Sequence, residues 1–149
     1  MKLFCDTNIL LEFIQQRKFA QEVEQVLSLA EANDYPLYIS TGSFYTTTYL
    51  VECYLKEERQ PKEQRIEKLR TVMNGILDLF HFARLSPVTL SDGVNDELFS
   101  DLEDSYQAHA AMEEGCDVIL TINVKHFKNL AESGAIEVLS PTDFISKYQ

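Results

Sequence analysis

Five short apolar runs alternate with segments of helical periodicity along the chain, and this alternation constrains the fold most strongly. The runs, each about the length of one buried strand, lie at residues 2–5, 37–39, 82–85, 117–121 and 136–139. Between them, apolar residues recur every three or four positions, as in amphipathic helices. Strands that alternate with helices indicate a parallel sheet covered on both sides. We therefore predict an α/β fold: a small parallel sheet with helices on both faces.

The predicted helices are bounded by residues that start or stop helices. Pro61 suits the first turn of one helix, and Gly115 suits the left-handed position after another. The first helix follows Asn8, the last begins at Pro141, and those between cover residues 19–32, 43–58, 61–82, 91–100, 101–114 and 126–132.

Length and charge limit the function classes. The 149 residues suit one domain, covering 1–149. The formal net charge of −11 excludes a uniformly basic nucleic-acid binder, so contact with nucleic acid would need a local patch or a bound cation. No apolar run is long enough for a membrane span, and no secretory leader is evident, so we expect a cytoplasmic protein. The three cysteines suggest reduced core thiols.

Polar residues follow two of the predicted strands, at the edge where open α/β sheets bind ligands. Asp6 directly follows the first strand, with Thr7 and Asn8 beside it, and Thr121 and Asn123 lie at the end of the fourth. Asp6 is either the N-cap of the next helix or a metal-binding carboxylate that Thr7 and Asn8 hold in place. Asn123 is either a turn residue or a neutral oxygen donor.

An acidic stretch between residues 92 and 104 contains six Asp or Glu residues and no Lys or Arg. Asp101 and Asp104 lie three apart in the first turn of a predicted helix, where the helix dipole favours carboxylates. Together with Asp6 they would repel one another unless a cation lay among them. Mg²⁺ suits such a site, because it binds a few carboxylates and keeps several waters. It would activate a water toward a phosphodiester.

The remaining candidates have weaker support. We expect His109 to be a satisfied core or boundary residue and His126 to lie on a surface turn. Residues 56–70 carry six Lys or Arg against four Glu. This stretch is either a solvated helix face laced with ion pairs or an edge that contacts RNA phosphates. The RNA-contact candidates within it are Lys56, Arg59, Lys62 and Arg65.

Four segments in order resemble the PIN domain family, as in the VapC-like toxin ribonucleases. The opening FCDTNILL at residues 4–11 is similar to the family's Asp-Thr/Ser-Asn start. The segments DLEDSYQAHAA at 101–111 and VILTINVKHF at 118–127 resemble its third and fourth motifs. VLSPTDFI at 138–145 resembles its usual ending.

The resemblance implies a PIN-like fold and a Mg²⁺- or Mn²⁺-dependent endoribonuclease, often a homodimer held by a small antitoxin protein. Asp6 would be the first acid and Asp104 the third, and both would ligate the metal. Asp101 or Glu103 would assist, and Asn123 stands where many relatives have a fourth acid.

Two departures from the family pattern leave a second function open. The family's second acid is expected near Thr46, yet the first carboxylate on that helix is Glu52. At the fourth motif Asn123 replaces an Asp, and His126 stands where relatives often have another. The alternative is therefore a catalytically degenerate module that binds RNA or a protein partner. Asp6 and Asp104 carboxyls within about 6 Å, close enough to couple, would favour the enzyme.

Overall fold

A five-stranded, all-parallel sheet forms the centre of the molecule. The computed structural model describes residues 1–149. The strand order is β3-β2-β1-β4-β5, so the first strand lies in the middle. The strands are β1 (Leu3–Cys5), β2 (Leu37–Ile39), β3 (His81–Phe82), β4 (Val118–Leu120) and β5 (Glu137–Leu139). The parallel sheet predicted from the alternating pattern is confirmed.

Seven helices connect successive strands, and an eighth follows the last strand. They are α1 (Thr7–Ile14), α2 (Ala20–Ala32), α3 (Thr41–Glu57), α4 (Lys62–Leu79), α5 (Pro87–Val94), α6 (Leu102–Glu113), α7 (Lys128–Ser133) and α8 (Pro141–Tyr148). A 3₁₀ turn at Val124–Phe127 precedes α7. None of these helices combines the length and the hydropathy that crossing a membrane requires.

Several element boundaries differ from the prediction. β3 occupies His81–Phe82 rather than residues 82–85, and α4 ends earlier, at Leu79. α5 begins at Pro87 rather than Ser91, because the Ser86 hydroxyl accepts a 3.1 Å hydrogen bond from the Thr89 amide. Ser86 is thus the N-cap, with proline in the first turn, where its missing amide hydrogen costs nothing.

The alternation of side chains along each strand produces two hydrophobic cores. In β1, Leu3 and Cys5 pack into the larger core, of 19 buried residues, with α1, α2, α3, α4 and α8. Phe4, between them, packs into the smaller core, of 11 buried residues, with α6 and α7. Successive strand residues point to opposite faces, so helices on both faces are what a fully apolar strand requires.

The carboxyl ends of the central strands lie side by side and are followed by polar residues. Asp6 follows β1, Ser40 follows β2, Thr121 follows β4 and Ser140 follows β5. The Asp6 amide donates to the Leu120 carbonyl at 3.0 Å, so the ends of β1 and β4 are joined directly. This edge positions the candidate site.

Candidate functional site

Asp6 is a buried carboxylate at the end of β1, with 5% of its surface exposed. Its Oδ1 accepts a 2.7 Å hydrogen bond from the Thr7 amide, so it caps α1. Its Oδ2 accepts from Asn8 Nδ2 at 2.6 Å and from the Thr121 hydroxyl at 2.8 Å. Three neutral donors therefore fix the orientation of this carboxylate.

The charge on Asp6 is nevertheless disfavoured. Burial and the negative charge of Asp104 raise its pKa, the hydrogen bonds from Thr121, Thr7 and Asn8 lower it, and together these influences raise the pKa to about 6. No lysine or arginine forms an ion pair with Asp6 or Asp104. The two carboxylates thus repel each other at the carboxyl edge, and no lysine or arginine compensates their charge.

Asp104 lies on the first turn of α6 and is half-buried. Burial, and then the charge of Asp101, raise its pKa, and a hydrogen bond from His126 opposes them. His126 Nδ1 lies 3.0 Å from Asp104 Oδ2. His126 lies on an exposed turn, as the sequence pattern predicts, but that pattern alone indicates no contact with Asp104. The signal that it belongs to the site was its place in the fourth motif, where relatives often have an acid.

Asp101 and Glu103 flank Asp104 and are both exposed. Asp101 is the N-cap of α6, because its Oδ1 accepts from the Glu103 amide at 2.8 Å and from the Asp104 amide at 3.3 Å. Burial, Asp101 and Asp104 raise the pKa of Glu103. Asp101 therefore caps the helix with one oxygen, and Oδ2 makes no hydrogen bond within the chain.

Asn8 and Thr121 tie α1 to the turn after β4. Asn8 Oδ1 accepts from the Ile122 amide at 3.1 Å, and its Nδ2 also reaches the Thr121 hydroxyl at 3.2 Å. The Asn123 amide donates to the same hydroxyl at 3.0 Å. These contacts hold the half-buried Asn123 at the same edge as Asp6.

A buried polar network that the sequence did not predict lies under Thr7. The Thr7 and Ser43 hydroxyls are 2.8 Å apart, and Gln107 Nε2 donates to them at 2.8 and 2.5 Å respectively. The Thr47 hydroxyl and Gln107 Oε1 are buried without a hydrogen-bond partner. This part of α3, where relatives carry the second acid, therefore presents neutral groups.

Glu52 does not take the place of that acid. It follows the start of α3 at Thr41 by 11 positions, which corresponds to about 16 Å along a helix. It also forms an ion pair with Lys56, with 3.3 Å between Oε1 and Nζ. The carboxyl edge thus receives no carboxylate from α3.

The side chains at the carboxyl edge determine which kind of metal ion could bind there. No three His, Cys, Asp or Glu side chains lie together as a group that could hold a metal ion. Mg²⁺, however, is commonly bound through one or two carboxylates while it keeps several waters. Asp6 and Asp104, whose charges repel each other and which pair with no lysine or arginine, fit a hydrated hard cation of that kind.

His109 behaves as the boundary residue that we expected. Its Nε2 lies 2.8 Å from Asp96 Oδ2, and both side chains are largely buried. Burial raises the pKa of Asp96, but the Leu98 amide and His109 outweigh this and hold it below its usual value. This pair holds the segment that follows α5 against helix α6.

The four basic candidates are not brought to the carboxyl edge. α3 begins beside Ser40 at that edge, and its 17 residues extend about 25 Å from it. Lys56 lies near the far end, and Arg59, Lys62 and Arg65 follow it. Arg65 Nη1 donates to the Gln60 carbonyl at 3.0 Å. An RNA contact at these residues stays a prediction.

Comparison with known proteins agrees with this geometry. The family model described as "PIN domain" matches residues 2–125. Ribonuclease VapC1 of Aquifex aeolicus is 28% identical over 151 residues, which cover 99% of this chain and 95% of that protein. The crystal structure of VapBC2 from Rickettsia felis bound to a DNA fragment from their promoter superimposes with a TM-score of 0.68 at 18% identity, covering 94% of this chain and 98% of that chain. The PIN-like fold expected from the motifs is confirmed, and the chain belongs to the PIN domain family.

Proposed function

We propose that this protein is a metal-dependent endoribonuclease of the toxin–antitoxin type that hydrolyses RNA phosphodiesters in the cytoplasm. One observation carries the proposal: the negative charges of the buried Asp6 and the half-buried Asp104 repel each other, and neither residue pairs with a lysine or an arginine. Burying a charge is costly unless an opposite charge compensates it. A divalent cation at this edge supplies that charge, and the similarity to Ribonuclease VapC1 indicates which chemistry it serves.

Asp6 and Asp104 would hold Mg²⁺ or Mn²⁺. When bound, such an ion polarises a phosphoryl oxygen and lowers the pKa of water. Thr7, Asn8 and Thr121 keep Asp6 in one orientation through the hydrogen bonds described above. The free oxygen of Asp101 accepts a proton from water or orients it.

Glu103 and Asn123 complete the set of residues at the edge. Glu103 has a raised pKa and supplies further negative charge beside Asp104. The Asn123 side chain makes no hydrogen bond within the chain, so its amide is available to the RNA backbone.

A catalytically degenerate module that binds RNA or a protein is the second candidate. The observation that favours it is the neutral network of Thr7, Ser43 and Gln107, which lies where relatives carry a carboxylate. The repulsion between the carboxylates of Asp6 and Asp104 argues against this module. A protein that binds no metal gains no stability from two carboxylates that repel each other.

Cleavage of a fluorescent single-stranded RNA with Mn²⁺ separates the two candidates. The wild-type protein should cut it, EDTA should stop the reaction, and Asp6→Asn and Asp104→Asn should each lower the rate at least about 100-fold, as expected for groups that hold a catalytic ion. Asp92→Asn, which removes the same charge from an exposed position, is the matched control and should retain activity. RNA that is bound but uncut by the wild-type protein and all variants would establish the module instead.

An apolar groove between α1, α2 and α4 is where we place the small antitoxin protein. The groove measures about 370 Å³, and ten of its 13 lining residues are hydrophobic. Phe13 and Leu79 in its wall are 37% and 45% exposed. Exposed apolar patches of this kind mark protein-binding sites. Phe13→Glu should prevent purification with a co-expressed antitoxin, and unchanged co-purification would contradict the placement.

A second copy of the chain would cover a different surface. Val88 and Val94 on α5 are 69% and 52% exposed, and Leu98 after the helix is 45% exposed. Burial of this patch favours the homodimer that we propose. Light scattering that shows only monomers at high concentration would contradict it.

A further inference from the structure

A groove of about 480 Å³ opens directly beside Asp104. One wall belongs to the segment that leads into α6 and carries Asp101 and Asp104. The other wall belongs to the 3₁₀ turn and the start of α7 and carries Lys125 and Lys128. The groove therefore joins an acidic wall, which contains a proposed metal ligand, to a basic wall.

The two walls are fastened together below and across the groove. The Phe99 ring packs edge-on against the fully buried Phe127, with 5.8 Å between ring centroids. Asn129 Nδ2 donates to the Leu98 carbonyl at 3.3 Å. The hydrogen bond between His126 and Asp104 spans the walls at 3.0 Å. The groove is thus preformed and does not depend on a ligand to assemble it.

The lysines on the basic wall are free to bind an anion. Lys125 has no acidic partner within 4.0 Å. Lys128 pairs only with Glu132 at 3.6 Å, and the two side chains are 70% and 64% exposed, so water weakens this pair. Across the groove, the amides of the α6 N-terminus partly neutralise Asp101.

We propose that this groove binds the RNA backbone next to the scissile bond, and that Lys125 and Lys128 contact its phosphates. The inference rests on the proposed function. A chain with a net charge of −11 repels RNA, so a strand that reaches Asp104 needs cations nearby. The groove supplies two cations on the wall opposite Asp104. Lys56, in contrast, lies close to the far end of α3, and Lys62 lies beyond that end.

The test compares two double variants that remove equal charge. Each double variant also carries Asp6→Asn, so that the RNA is not cleaved during the measurement. Binding to a 12-nucleotide single-stranded RNA is measured by fluorescence anisotropy at several salt concentrations. The groove variant carries Lys125→Gln and Lys128→Gln, and the control carries Lys56→Gln and Lys62→Gln. Each lost phosphate contact lowers the slope of log affinity against log salt by about 0.7 for single strands.

We expect the groove variant to lose about 1.4 from this slope and to bind RNA weakly at low salt, while the control loses less than the groove variant. A loss in the control that equals or exceeds the loss in the groove variant would overturn the inference, because the binding would then depend on general charge or on the α3–α4 junction. Unchanged binding in the groove variant would overturn it as well, and would leave the proposed function standing. A parent that binds no RNA would also overturn this inference, and the cleavage assay on the wild-type protein with Mn²⁺ would still decide the proposed function.

Discussion

Replacing Asp6 with asparagine should stabilise the metal-free protein at neutral pH, which is the opposite of what most changes at buried residues do. Burial and the charge of Asp104 raise the pKa of Asp6 from 3.8 to about 6. Each pKa unit between the folded and unfolded chain is worth about 1.4 kcal/mol. Ionised Asp6 therefore costs the folded protein about 3 kcal/mol at pH 8.

The size of this stabilisation depends on pH. Because the pKa of Asp6 is higher in the folded chain, the folded state holds the proton more tightly. The stability from that proton is complete below about pH 4 and is lost as the pH rises through about 6. Asparagine has no such proton, so its advantage over aspartate grows by about 1.4 kcal/mol between pH 5 and pH 8.

Lost hydrogen bonds reduce the gain. The asparagine oxygen can still accept from the Thr7 amide, but its NH₂ group would face Asn8 Nδ2, a donor that now bonds to Asp6 Oδ2. Leaving such a group poorly paired costs about 1–2 kcal/mol. The net result is a variant about 1–2 kcal/mol more stable at pH 8 and close to wild type at pH 5.

Urea unfolding at pH 5 and pH 8, with EDTA present, measures this difference. Asp92→Asn serves as the control, because the residue is exposed, and it should behave alike at the two pH values. An Asp6→Asn protein that is less stable than wild type at pH 8, or that differs from it equally at both pH values, would refute the reasoning. Asp6 would then act mainly as a helix cap.

The structure supports three further predictions, two on stability and one on cysteine reactivity. Gly93→Ala should lower the free energy of unfolding by about 1–3 kcal/mol, since its new Cβ would meet the Tyr106 ring at 2.8 Å; no loss in thermal denaturation would contradict this packing. Gly75→Ala, in α4 with nothing within 4 Å of the new Cβ, should raise it by up to about 1 kcal/mol, and a lower melting temperature would show a close neighbour. Cys53, which is half-buried, should react with a thiol reagent before Cys5, because burial raises the pKa of Cys5; modification of Cys5 first in mass spectra would contradict the buried core.

The sheet could be predicted because its strands are buried on both faces. In β1, Leu3, Phe4 and Cys5 are all apolar, and they divide between the two cores. The place of Asp6 followed from the same pattern, since the residue after a buried parallel strand lies at the carboxyl edge. These predictions depend only on neighbours in sequence.

Contacts between distant residues could not be predicted in that way. Gln107 reaches Thr7 across 100 positions and His126 reaches Asp104 across 22, and no periodicity indicates such pairs. The composition of residues 56–70 shows that this stretch is basic, but it does not show how far from the carboxyl edge these side chains lie in the fold. The early start of α5 had a local signal in Ser86 and Pro87, which the later Ser91 and Asp92 obscured.

The central claim is that Asp6 and Asp104 together hold a divalent cation. Calorimetric titration with Mn²⁺ at low salt tests it most directly, on the wild-type protein, Asp6→Asn, Asp104→Asn and the control Asp92→Asn. We expect one saturable site in the wild-type protein and in the control, and none in the other two variants. A wild-type protein without saturable binding, or binding that persists in Asp6→Asn, would contradict the claim.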